Sequence, residues 1–104
     1  MKIFNGQIKH DNEDLICKMS KYVENNNTAL MLLDNLGSPY ATVTVNLDKL
    51  PENEAVIRSD YYEDLLKGGL ISKKISDIRY GYKVGYLCDI NLDKFIEEES
   101  QCEW

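Results

Sequence analysis

The sequence predicts an α+β domain: an antiparallel sheet of about five strands, with one main helix near residues 60–67 packed on one face. Three observations predict it. Residues 37–47, GSPYATVTVNL, alternate strictly, with Ala41, Val43, Val45 and Leu47 on one side and Tyr40, Thr42, Thr44 and Asn46 on the other. Period-two alternation rich in β-branched residues marks a half-buried strand. Short polar connections, Asn25-Asn26-Asn27 and residues 34–39, join this strand to the apolar runs before it, which is the signature of hairpins. Finally, SDYYEDLLKGG (residues 59–69) carries both a start and a stop signal for a helix.

The first element is a short strand in MKIFNGQIK, with Gly6 as a bulge or turn, followed by a polar loop over residues 10–14. Leu15 to Val23 fits two patterns: Leu15, Cys17 and Met19 suit a strand, and Leu15, Ile16, Met19 and Val23 suit a helical face. The strand is preferred because a tight asparagine turn follows and Thr28 to Leu33 continues in apolar form. Gly37 can take positive φ in the next turn, and Pro39, which cannot donate to a ladder, belongs at the start of the returning strand. That places residues 28–33 beside residues 40–47 at the sheet centre, with Val43 and Val45 directed at the core and Thr44 at solvent. Residues 55–57 form another short strand. In the helix, Ser59 or Asp60 is the cap, Glu63 completes a capping box with Asp60, and Gly68-Gly69 ends it. Residues 75–91 return to β structure, interrupted at Gly81 and Gly85, and the tail forms a short helix through Leu92, Phe95 and Ile96. Glu97, Glu98 and Glu99 would crowd the C-terminal end of that helix, where negative charge is disfavoured by about 0.3–1 kcal/mol per group.

At 104 residues, the whole chain (1–104) is read as a single domain with one modest core, because folding at this size buries roughly 65% of the unfolded surface. No apolar run approaches the ~20 residues of a membrane span, and the N-terminus has no apolar signal-type segment, so a cytoplasmic protein with reduced thiols is expected. Cys17, Cys88 and Cys102 are widely spaced, with no Cys-x-x-Cys or Cys/His pattern, so neither a metal nor another cofactor is expected. The net charge of −6 repels phosphate backbones unless the charge is strongly segregated, so direct nucleic-acid binding is not expected.

Chemistry has few candidates. His10, the single imidazole, lies in a polar segment and is read as a solvated surface residue. Cys17 and Cys88 sit in apolar alternation and are read as small buried hydrophobes. Asp60, Glu63 and Asp64 cluster, yet capping and the helix dipole account for acid at a helix start. No glycine-rich phosphate-binding motif is present. Two features suit surface recognition better. In RYGYKVGY, Tyr80, Tyr82 and Tyr86 are read as alternating on one strand face beside Arg79 and Lys83. Tyrosine offers large contact area and is enriched at binding hot spots, though it also simply suits strands. The second feature is distributed acid: Asp60, Glu63 and Asp64, then Asp89, Asp93, Glu97, Glu98, Glu99 and Glu103. On one face these could imitate a phosphate track; as a solvated face they would do nothing.

The stretch SPYATVTVNL, following an apolar strand and a D-x-x-G turn, resembles an uncharacterised family of small phage and mobile-element proteins whose shared core reads GxPYATLTVNL, followed by an ENEA segment. Gly37, Pro39, Tyr40, Ala41, Thr42, Thr44, Val45, Asn46 and Leu47 carry the resemblance, with Glu52, Asn53, Glu54 and Ala55 after them. It spans residues 15–90 and is specific over the hairpin; Gly37-Ser38 stands where the family has Gly-Glu or Gly-Asp. The resemblance implies no catalytic residue. It implies a context in which small acidic proteins act as stoichiometric host-takeover factors, including anti-CRISPR and antirestriction proteins. The resulting expectation is a non-catalytic inhibitor that binds a host CRISPR effector nuclease, or another defence protein with a basic surface. It would use Tyr80, Tyr82, Tyr86, Asp60, Glu63, Asp64, Asp93 and Glu97–Glu99. The alternatives are a phage regulatory or structural module, as a homodimer joined through a sheet edge, and a small nucleic-acid-directed enzyme.

Overall fold

The structure, a computed structural model, describes residues 2–97; Glu98, Glu99, Cys102 and Glu103 lie outside the described residues. Ten strands and one α-helix follow in the order β1 (Lys2–Phe4), β2 (Ile8–His10), β3 (Glu13–Lys21), β4 (Thr28–Leu33), β5 (Pro39–Thr42), β6 (Thr44–Val45), β7 (Glu54–Arg58), α1 (Ser59–Lys67), β8 (Ile71–Tyr80), β9 (Lys83–Ile90) and β10 (Phe95–Glu97). They form a small compact α+β domain. In place of one sheet of about five strands there are two: β10-β1-β3-β4-β5, with β2 also paired to β3, and β6-β7-β9-β8. Every pairing is antiparallel.

The two sheets meet at Val43. Its N–H donates to Leu30 O at 3.0 Å in the first sheet, and its carbonyl accepts from Arg58 N at 2.8 Å in the second. The strand read as GSPYATVTVNL is therefore bent, and it passes from β4 to β7 at one residue. The bend breaks the alternation. Val43 is fully buried, but Thr44 is buried too, and Val45 is only half-buried. Thr44 belongs inside because its Oγ1 accepts the Leu30 N–H at 3.3 Å and lies 2.9 Å from the Tyr22 hydroxyl. A buried amide without a partner would cost free energy, so the bend requires a hydroxyl at this position.

The first segment is two strands rather than one. The chain turns at Asn5-Gly6, where a Cβ on Gly6 would lie 2.9 Å from the Phe4 ring. β2 then pairs with the other half of β3, Ile8↔Leu15 and His10↔Glu13. The polar loop expected over residues 10–14 is in fact a two-residue hairpin turn. Asp11 (φ 51°) and Asn12 (φ 66°) both take positive φ, as type I′ turns demand and as Asp and Asn tolerate.

Residues 15–23 resolve to strand, with β3 ending at Lys21 and Val23 exposed in the turn. Ile71 begins the β8 strand, four residues before the expected start. Gly85 does not interrupt β9; a Cβ there would lie 2.7 Å from Val56 Cγ1 and 3.2 Å from Ile57 O, so it is a point of close approach between strands.

Arg58, with no side-chain cap hydrogen bond, precedes the α1 helix, so neither Ser59 nor Asp60 caps it. Its end matches the expectation. Gly69 (φ 80°) takes the left-handed position, and Leu70 N bonds Leu65 O while Gly69 N bonds Leu66 O, a Schellman arrangement. Tyr61 and Leu65, four apart, face the core. The tail helix through Leu92, Phe95 and Ile96 is absent. A single 3₁₀ turn (Leu92–Lys94) leads into β10, which pairs with β1 and sets Phe95 against Phe4 with ring centroids 5.5 Å apart. Pairing on the free edge of β1 satisfies backbone groups and buries Phe95, whereas a helix ending in acid would oppose its own dipole.

A candidate recognition surface around His10

The β2–β3 hairpin lies directly against α1. Ile8 is fully buried, and its Cδ1 stands 2.5 Å from where a Cβ on Gly68 would sit, so only glycine lets β2 dock here. Two residues along the strand, on the same side of the pleat, the hairpin presents His10 to the helix. Nδ1 of His10 is hydrogen-bonded to Asp64 Oδ2, and Nε2 lies 3.5 Å from Asp11 Oδ2. The imidazole lies 4.5 Å from the Tyr61 ring and 6.2 Å, edge-on, from the Tyr40 ring. Arg58 covers the Tyr61 ring at 5.1 Å, pairs with Asp60 at 3.0 Å and donates to Thr42 O at 3.2 Å. The expectation for His10 is thus corrected: its side chain is 16% exposed and held by three elements, because the tight turn fixes it and the helix supplies both a carboxylate and a ring.

Around this centre the chain gathers acid. Asp11 and Glu13 flank His10 on the hairpin, and Asp60, Glu63 and Asp64 project from α1. Tyr40 records the hairpin's share of this field: its hydroxyl titrates above the ordinary value, first through partial burial, then through the carboxylates of Glu13 and Asp11 and through Tyr61. The arrangement is an acid-rimmed surface with the half-buried Tyr40 ring at its edge and a clamped histidine at its middle, set on the buried Tyr61 ring. Such a surface can accept cations by hydrogen bonding to its carboxylates and by contact with the Tyr40 ring.

The structure joins only some of the residues singled out from sequence. Asp60, Glu63 and Asp64 share α1, and Asp64 is half of the histidine clamp. The tyrosines do not share a face. Tyr80 pairs with Lys83 across the β8–β9 hairpin, whereas Tyr86 pairs with Asp77, three positions along β9 and so on the opposite face. Tyr82 lies in the turn, fully exposed. Tyr86 packs on Tyr62 of α1 at 4.9 Å, edge-on, with Lys74 over its ring at 4.5 Å, so it is a structural contact. The error lay in reading RYGYKVGY as one strand when Gly81 (φ 62°) turns the chain in its middle. Asp93 is exposed in the 3₁₀ turn, and Glu97 stands opposite Lys2 on β10. Neither is linked by a hydrogen bond or ion pair to the helix carboxylates among the described residues.

Tyr40, Tyr61, Asp11, Glu13 and His10 were missed as a group. A signal was present: Asp11-Asn12 between Ile8-Lys9-His10 and the alternating run from Glu13 is a two-residue hairpin pattern. Cys17 and Cys88 are buried as expected, and burial pushes both thiols up to about 12, with Lys74 opposing the shift at Cys88.

Comparison of the chain with protein-family models, with curated proteins and with solved structures finds no match. Among the described residues no helix is long and apolar enough to cross a membrane.

Proposed function

We propose that the chain is a non-catalytic, stoichiometric binding protein, and that its acidic, tyrosine-bearing surface around His10 engages a basic surface of a partner protein. The observation that carries this reading is the meeting of Asp11 and Glu13 of the hairpin, Asp64 of α1 and the Tyr40 ring around His10, three elements fastened by the His10–Asp64 contact. Acid at the rim speeds encounter with a cationic partner, and buried aromatic contacts slow its departure. The particular form proposed is an inhibitor that occupies the basic nucleic-acid channel of a host defence effector, with a CRISPR nuclease as the first candidate. That form draws its support from the resemblance of residues 37–55 and from the negative charge of the chain.

The Asp64–His10 contact also invites an acid–base enzyme, since a carboxylate orienting an imidazole is the core of many catalytic sites. Against it, Nε2, the nitrogen such a dyad turns to its substrate, faces Asp11.

Affinity capture with the full chain from a bacterial host lysate, followed by surface plasmon resonance on the captured protein, tests the proposal. Fixed stoichiometry is expected, with graded loss from Asp11→Lys, Glu13→Lys and Glu63→Lys and with His10→Gln largely retained. Turnover of a captured substrate, abolished by His10→Gln alone, would replace this reading with the enzyme.

A further inference from the structure

The β8–β9 hairpin differs in charge from the rest of the molecule. Within residues 71–90 it carries Lys73, Lys74, Arg79 and Lys83 against Asp77 and Asp89, in a chain whose net charge is −6. Lys73 and Lys74 have a sufficient structural role. β8 is the edge of its sheet, and lysines and bulges keep edges from pairing with other chains; bulges interrupt its register on either side of Lys73 and Lys74. Lys74 is also held by Asp77 at 2.9 Å.

The tip is not accounted for in this way. Arg-Tyr-Gly-Tyr-Lys (79–83) has two cations and no acid, and neither Arg79 nor Lys83 makes an ion pair among the described residues. Tyr82 is fully exposed and buries nothing. Tyr80 stands directly opposite Lys83, and the two line a cleft of about 270 Å³ with Val84, Ser59 and the ion pair of Arg58 with Asp60. One ring opposite Lys83 and a second ring free at the turn, with Arg79 and Lys83 beside them, make a short stacking platform flanked by two cations. An acidic peptide would use the cations but has no need of two rings.

We infer that the β8–β9 hairpin tip binds a short stretch of single-stranded nucleic acid, with bases on Tyr80 and Tyr82 and phosphates on Arg79 and Lys83. The sequence argued against nucleic acid unless charge was segregated, and the fold segregates it: the acidic surface around His10 belongs to other elements. This site does not rest on the proposed function: its rings, Tyr80 and Tyr82, and its cations, Arg79 and Lys83, lie outside the surface around His10, which it adjoins at the Arg58–Asp60 pair. With two phosphates engaged, binding is weak and salt-dependent, with a log–log slope of about −1.4.

Fluorescence anisotropy of a fluorescein-labelled ten-residue oligothymidylate, titrated with the full chain at low salt, reads this directly. A saturable rise with that salt slope is expected. Tyr82→Ala, which removes a fully exposed ring and leaves the fold intact, should weaken binding at least about five-fold, the effect of one stacked base. The double reversal Arg79→Glu/Lys83→Glu should abolish binding. An equal reversal elsewhere, Lys67→Glu/Lys94→Glu, should change it about two-fold or less at 0.1 M salt, where the Debye length is about 10 Å. No saturable rise overturns the inference. So does binding that Tyr82→Ala leaves unchanged and that polyglutamate displaces as readily as unlabelled oligonucleotide, which would mark a surface for acidic proteins.

Discussion

Thr44 shows what alternation alone conceals. Its hydroxyl fills the hydrogen-bonding gap that the bend at Val43 opens on Leu30, so a polar residue sits inside where the pattern YATVTVNL places it outside. Val43→Asp should unfold the domain, since an unpaired buried carboxylate costs several kcal/mol against a total of about 5–15. Thr44→Val should cost about 1–3 kcal/mol by leaving the Leu30 amide unpaired. Val45→Asp should be the mildest of the three. Urea melts give the order, and a Val45→Asp variant as unstable as Val43→Asp would show that the bend is misplaced.

The buried thiols make a second test at the same scale. Cys17 titrates at about 12 rather than 9.0 because burial penalises its thiolate. The raised value means the folded state holds the proton more tightly than the unfolded state. This contribution is complete below pH 9 and is lost as pH rises from 9 towards 12. A shift of that size corresponds to about 4 kcal/mol. Stability should therefore fall steeply above pH 9, and Cys17→Ser or Cys17→Ala should flatten that limb while lowering stability at neutral pH. In peptide maps of native protein at pH 8, iodoacetamide should leave Cys17 and Cys88 unmodified. Prompt labelling of Cys17 would contradict the burial.

Among the elements, legibility followed local signals. The hairpin from β3 to β4, the strand β7 and the stop at Gly68-Gly69 were readable because turn chemistry and glycine act within a few residues. The second sheet, the β10 strand and the seam between β2 and α1 were not, because they depend on partners distant in sequence: Phe4 with Phe95, Val43 with Arg58, His10 with Asp64. The same distance hid the candidate site, whose carboxylates looked like helix-start residues until the hairpin was laid beside them. The seam itself can be tested at Gly68. Its φ of −76° suits any residue, so Gly68→Ala adds no backbone strain and acts only by driving a methyl into Ile8. Ile8 is fully enclosed and must shift, at a cost of about 1–3 kcal/mol. Hydrogen exchange should quicken over residues 8–13 while β7 and β9 keep their protection. Uniform loss of protection would mean that the hairpin and helix do not form a separate seam.

At the scale of the whole molecule, the decisive property is how charge is arranged. A net charge of −6 spread evenly would do little beyond solubility. Here the acid of α1 and of the β2–β3 turn gathers around His10, while the β8–β9 tip is cationic, so the molecule presents two surfaces of opposite sign. If the acidic surface meets a basic partner, association should be steered: the on-rate should fall as salt rises from 0.1 M towards 1 M, where the Debye length shrinks from about 10 Å to about 3 Å. Asp11→Lys/Glu13→Lys/Glu63→Lys should lower the on-rate and flatten its salt dependence, with little effect on the off-rate. Tyr40→Ala should do the reverse, raising the off-rate by a factor corresponding to about 1–2 kcal/mol, because its contact forms only after encounter. Surface plasmon resonance over a salt series separates the two effects. The Tyr82→Ala and Arg79→Glu/Lys83→Glu variants serve as an internal contrast, since they alter the other surface and should leave these rates close to those of the unaltered chain. An on-rate indifferent to salt and to the triple reversal would remove the acidic surface from recognition. It would move attention to the exposed apolar residues of the first sheet and its turns, Ile96 of β10 and Leu36 between β4 and β5.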